Sequence, residues 1–117
     1  MSNQETKIQQ EIRLALGRIK NLRLFRNETG QLPDPRTDRW VQFGLAKGSS
    51  DLIGFKTIKI TQDMVGDSVA QFVSIEVKTP KGRPTEIQKN WLQCIKSAGG
   101  ISGIARSIED AKKILDL

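Results

Sequence analysis

Histidine and tyrosine are both missing from this 117-residue chain, and cysteine occurs once, at Cys94. Without histidine there is no Ser-His-Asp triad, no Cys-His pair and no histidine-ligated metal nuclease. Without tyrosine there is no tyrosine recombinase chemistry. One Cys and no His cannot supply the four ligands of a structural zinc site. No disulfide can close within the chain, which fits a reducing compartment such as the cytoplasm. Apolar runs fall far short of the roughly 20 residues of a membrane-spanning helix. The opening MSNQETKIQQEIRLAL mixes charges into its apolar positions and has no signal-peptide core. Carboxylate, lysine, arginine, serine and the backbone remain for chemistry.

Basic residues outnumber acidic ones by 19 to 13, a net charge of +6. On so small a chain that surplus suggests a polyanionic partner, nucleic acid first. The length suits one compact domain over residues 1–117, with no repeat, linker or low-complexity tract.

Periodicity predicts an amphipathic helix over 5–20, with Ile8, Ile12, Ala15, Leu16 and Ile19 on one face and Glu11 at its border. Residues 22–29 read as a strand, and Asn27 and Gly30 supply turn chemistry. The segment 31–50 reads as a long loop, because it holds Pro33, Pro35, the charges of PDPRTDR and the run Gly48-Ser49-Ser50. Two β-rich runs, 52–60 and 69–79, suggest an antiparallel hairpin. A second helix is expected from Thr85 to about Ala98, with Ile87, Trp91, Leu92 and Ile95 as its stripe and Cys94 as a small core residue. Gly99-Gly100 stops it, Ile101–Ala105 forms a strand, and Ser107 caps a last helix. The expected class is α/β, in the order α-β-β-β-α-β-α.

Within IEVK, Glu76 and Lys78 share a strand face about 7 Å apart, and Val73, Ile75 and Val77 form the opposite, buried face. A carboxylate beside an ammonium on a rigid strand suits metal-assisted hydrolysis, although a solvated ion pair has the same sequence. Asp51 opens the preceding β run. An acid at the open end of a hairpin can approach Glu76, and two carboxylates with a backbone carbonyl such as that of Val77 suit Mg²⁺ or Mn²⁺. An Asp in a turn is also common on structural grounds. Gln88 sits at the third helical position after Thr85, where a capping box alone would explain it; capping and a site contact both remain open. Lys81 and Arg83, with Arg26, Lys47 and Lys89, are candidate phosphate contacts. Trp40 and Phe43 suit base stacking, and equally a core or dimer contact.

Asp51 followed by Glu76-Val77-Lys78 resembles the core of the PD-(D/E)xK nucleases, and within them the chain resembles the virus-type replication-repair nuclease (VRR-NUC) family. Phe25-Arg26-Asn27, Phe43-Gly44-Leu45, GSSDLIG, Lys81-Gly82-Arg83, Gln88 and Trp91-Leu92 extend the likeness over most of the chain. Ser50 stands where the superfamily name would place Pro, as in the GxxD variant of this family. The resemblance implies a restriction-endonuclease-like α/β core in which Asp51 and Glu76 bind metal with the Val77 carbonyl. It also implies that Lys78 is the catalytic lysine, that Gln88 is the helical glutamine and that Glu11 is the helical acid, reaching the site directly, through a water or at a second ion. The implied protein is a stand-alone Mg²⁺- or Mn²⁺-dependent DNA endonuclease, a homodimer that resolves Holliday junctions in DNA repair. A phage or viral origin and the host cytoplasm follow from the same likeness. A monomeric flap nuclease, a non-catalytic basic DNA-binding module and a protein-interaction module are the alternatives.

Overall fold

The computed structural model describes residues 3–117. Contacts within the chain group into two compact units, Met1–Lys56 and Thr57–Leu117. The whole is mixed α/β, built on small two-stranded sheets and closed by a C-terminal helix. Among the described residues no helix is long and apolar enough to cross a membrane.

The first unit holds α1 (Asn3–Leu16), β1 (Leu22–Arg26), β2 (Gly30–Asp34), β3 (Arg39–Phe43) and β4 (Leu52–Lys56). The inward position of α1 differs from the apolar stripe expected. Gln9 is buried at 8% exposure, while Ile8, Ile12 and Ile19 stay exposed. Ile8 and Ile12 line a cleft beside Gln9 and so stay partly open to solvent. The strand expected over 22–29 ends at Arg26, and the Asn27 N–H makes one further bond in the same register, to the Asp51 carbonyl. β1 pairs antiparallel with β4, from Leu22 opposite Lys56 to Arg26 opposite Leu52. On one face Phe25 and Phe55 meet as a tilted aromatic pair, ring centroids 6.3 Å apart.

The long loop expected over 31–50 is largely a hairpin. β2 and β3 pair antiparallel with Pro33 opposite Trp40 and Asp34 opposite Arg39. Two-stranded ribbons tolerate a proline because each strand is an edge. Asp34 closes the turn: its Oδ1 accepts from the Arg36 N–H and its carbonyl from the Asp38 N–H, both at 2.9 Å. Asp38 adopts φ 58°, a left-handed conformation that Asp tolerates. All five residues of β3 are exposed, so no in–out alternation marked it in the sequence.

Gly54 shows how close β1 and β4 run: a Cβ there would fall 1.8 Å from the Arg23 carbonyl oxygen. Backbone cannot yield as a flexible side chain does. Gly54→Ala is therefore expected to destabilise the protein by about 3 kcal/mol, read as a lowered midpoint in thermal denaturation.

The second unit holds a 3-10 turn (Gln62–Met64), β5 (Val73–Val77), α2 (Glu86–Ser97), β6 (Ile101–Ala105) and α3 (Ile108–Leu115). At the turn the Thr61 hydroxyl donates to the Asp63 carboxylate, which with the Asp63 backbone N–H holds that carboxyl below its usual pKa. In place of the expected hairpin, β4 takes β1 as its partner, and β5 takes β6 in a parallel pair from Val73 opposite Ile101 to Val77 opposite Ala105. Parallel neighbours need a crossover, and α2 supplies it as a βαβ unit. α2 and α3 begin where the sequence placed them, with Thr85 and Ser107 as N-caps.

Two side-chain expectations for α2 are corrected. Ile87 is 82% exposed; Gln88, Trp91, Leu92 and Ile95 form the inward face, with Leu92 and Ile95 buried. Gln88 claims the inward position and turns Ile87 outward by about 100°, the rotation of one helical residue. Cys94 is exposed, since it lies about 200° around the helix from Leu92. On β5, Val73 and Val77 are exposed rather than buried. The helix instead covers the strand's other face, where Trp91 Nε1 donates to Ser74 Oγ at 2.8 Å.

Candidate active site

In the first unit, Asp51 stands immediately before β4, in the bend that follows Gly48-Ser49-Ser50. Its placement depends on Asn27. The Asn27 backbone N–H donates to the Asp51 carbonyl at 2.8 Å. The side-chain amide of Asn27 donates to Ser49 Oγ at 2.7 Å and to the Ser50 carbonyl at 2.9 Å, and its Oδ1 accepts from the Leu45 N–H at 3.1 Å. A residue that reads as plain turn chemistry thus ties the end of β1 to the turn that presents Asp51. Nothing in its local sequence announces this, because the partners lie about 20 residues downstream.

Asp51 opens into two clefts of the first unit. One is lined by Glu5, Ile8, Gln9, Ile12, Asp51 and Leu52. The other is more polar; Glu5, Gln9, Asn27 and Ser49 line it with Asp51, beside the Arg26–Glu28 segment. The acid that α1 brings to Asp51 is Glu5, one turn before the buried Gln9. Glu11 lies about 200° around α1 from Gln9, is exposed, and lines neither cleft. Glu11 was the acid given by the family likeness; no local feature of the sequence singles out Glu5, because nothing there marks Gln9 as buried.

In the second unit, Glu76 and Lys78 lie as their alternation requires, on the face of β5 covered by α2. Lys78 is one residue past the strand and remains in the ladder, its N–H donating to the Ala105 carbonyl at 3.0 Å. Lys78 Nζ stands 3.6 Å from Glu76 Oε1, and the side chains are only 20% and 31% exposed. Gln88 Nε2 donates to the same Oε1 at 2.5 Å. A freely solvated ion pair would not be sheltered in this way. Gln88 simultaneously completes the capping box: its Oε1 accepts from the Thr85 N–H at 2.9 Å and its N–H donates to Thr85 Oγ1 at 3.2 Å. One amide thus caps α2 at its oxygen end and binds Glu76 at its nitrogen end.

The basic candidates divide. Arg26 is engaged by Glu28 at 2.5 Å and Lys89 by Glu86 at 3.2 Å, both in exposed pairs. Lys47, Lys81 and Arg83 are exposed. Arg106, which sequence reasoning passed over, donates from Nη2 to the Gly82 carbonyl at 2.9 Å and anchors the Lys81-Gly82-Arg83 turn to the end of β6.

Among the described residues no three Asp, Glu, Cys or His side chains gather into a ready-made metal cage. A Mg²⁺-type ion does not require one, since it takes one or two carboxylates and completes its shell with water and substrate oxygens. Asp51 in the first unit and Glu76 in the second each present hard carboxylate oxygens, the donor type that favours such an ion over a softer one.

Neither the curated proteins nor the solved structures contain a match to this chain. The family model of the VRR-NUC domain matches residues 3–109, from α1 to the beginning of α3. A match of that extent settles the family: the chain belongs to the VRR-NUC nucleases.

Proposed function

We propose that the protein is a single-domain, divalent-cation-dependent DNA endonuclease of the PD-(D/E)xK type that acts on branched DNA. A VRR-NUC domain is a nuclease domain with DNA as substrate, and its family generally uses divalent metals. The observation that carries the reading is the sheltered Lys78–Glu76–Gln88 group, in which an ion pair and an amide hydrogen bond meet at one carboxylate oxygen. The family likeness, rather than any contact between the two units, assigns Asp51, Glu76 and the Val77 carbonyl as the groups that would hold Mg²⁺ or Mn²⁺. When bound, such an ion offsets the charge of the phosphodiester and of its leaving oxygen. Glu5 is the α1 acid that supports Asp51, in the role the resemblance gave to Glu11.

The chain's own residues then have distinct tasks. Lys78, held beside Glu76, orients the attacking water by donating to it. Lys81 and Arg83, on the turn anchored by Arg106, hold phosphates flanking the scissile one. Trp40, exposed on the β2–β3 ribbon, suits stacking on an unpaired base at a branch point.

The favoured substrate is a four-way Holliday junction cut by a two-fold symmetric dimer, since paired incisions in a two-fold substrate need two sites related by such an axis. The test is incubation of the purified protein with Mn²⁺ and linear, flap, fork and four-way DNA, together with its mass in solution. A dimer that cuts four-way junctions in preference to the rest is expected. A monomer that cuts flaps and ignores junctions would replace the resolvase by a flap nuclease. Cleavage of no substrate would leave a DNA-binding module.

A further inference from the structure

We propose that Thr85, the N-cap of α2, is a positioning residue for Glu76 and acts through the amide of Gln88. The inference rests on the reading of Glu76 as a cation-holding acid. A glutamine amide has one accepting end and one donating end. The Thr85 N–H occupies the accepting end at 2.9 Å, so the donating end is the one presented to Glu76, at 2.5 Å. Were the amide reversed, a carbonyl oxygen would face a carboxylate oxygen and the Thr85 N–H would lose its partner. The reciprocal bond from the Gln88 N–H to Thr85 Oγ1, 3.2 Å, locks the cap into the geometry that makes this choice.

The consequence falls on one oxygen. Gln88 Nε2 and Lys78 Nζ both address Glu76 Oε1, which leaves Oε2 as the oxygen offered to a cation and stops the carboxylate turning. Trp91, one turn further along α2, is bonded to Ser74 on the same strand face, a second tie between α2 and β5. A residue that never touches the cation thereby sets the aim of one that does. Outer partners of metal-binding carboxylates commonly alter cation affinity by about 10- to 100-fold when removed.

The test measures binding of Mn²⁺ alone to the full chain by titration calorimetry, without DNA. Thr85→Ala is expected to weaken binding about 10-fold, and Thr85→Ser to restore it to within about twofold, since serine caps equally well. Thr85→Gly removes the same hydroxyl at little cost to the helix, so it separates positioning from stability and should weaken binding as alanine does. Ser107→Ala is the matched control. Ser107 Oγ accepts from the Asp110 N–H at the start of α3, a cap bond with no part in the Thr85–Gln88–Glu76 chain, so its loss should leave Mn²⁺ affinity unchanged. If Thr85→Ala and Thr85→Gly bind Mn²⁺ as the Ser107→Ala protein does, the role of Thr85 is overturned and that of Glu76 stands. If the wild-type protein binds no Mn²⁺, or Glu76→Gln binds it as tightly, the cation role of Glu76 itself falls, and the inference with it.

Discussion

Lys78→Ala should reduce cation-dependent DNA cleavage by about 10²- to 10⁴-fold, the range seen when a positioned proton-handling group is lost. Its fold should survive, because a partly exposed ion pair contributes at most about 1 kcal/mol, or about 4 °C in the midpoint for a chain of this size. Lys78→Arg tests whether charge alone suffices. A guanidinium is broader and spreads its charge, so it should keep the pairing with Glu76 yet fail to place a water as the ammonium does. The measurement is single-turnover cleavage at saturating protein, so that changes in DNA affinity do not obscure the chemical step. Wild-type rates in Lys78→Ala would show that cleavage does not run through the end of β5.

The second large effect is expected at Asn27, a residue outside the motif. Its side chain makes contacts to Ser49, Ser50 and Leu45, and its backbone N–H holds the Asp51 carbonyl. Asn27→Ala should destabilise the protein by about 1–2 kcal/mol, since hydrogen bonds contribute about 1 kcal/mol each and only the Ser49 bond is part-buried, the other two being open to water. It should also lower cleavage by about 10²-fold or more, because a shift of about 1 Å in a positioning element has that effect. Asn27→Asp separates the two halves of the network. It keeps an acceptor for the Leu45 N–H but cannot donate to Ser49 Oγ or the Ser50 carbonyl. If the turn carrying Asp51 depends on those donations, Asn27→Asp should lose as much cleavage as Asn27→Ala while keeping part of the stability. Wild-type cleavage in both variants would mean that Asp51 is held by other means, or is not used.

How much of this could be read in advance depends on how local each signal is. The caps Thr85 and Ser107, the stop at Gly99-Gly100, and the strand Ile101–Ala105 were legible because capping and helix termination involve residues within a turn of one another. The β2–β3 ribbon was not legible. Its prolines and charges imitate a loop, and a ribbon exposed on β3 throughout shows none of the alternation that burial imposes. The hairpin expected between 52–60 and 69–79 failed for a different reason. Two adjacent β-rich runs invite local pairing, yet β1 and β6 won them through contacts far along the chain. In both helices a glutamine is more buried than the neighbouring isoleucine of the expected stripe: Gln9 beside Ile8 in α1, Gln88 beside Ile87 in α2.

What the sequence determined by itself was the chemistry. A chain with no histidine, no tyrosine and one cysteine is left with carboxylates, lysines and the metals they favour, and the order Asp51, Glu76, Lys78 names a family. The tertiary structure alone decided the surroundings of those residues. It set Glu5 with Asp51 in one cleft, tied the turn that carries Asp51 to Asn27, and gave each end of the Gln88 amide a partner. The physical reason is that residue type limits what a group can do, whereas its aim depends on hydrogen-bond partners that folding brings from elsewhere in the chain.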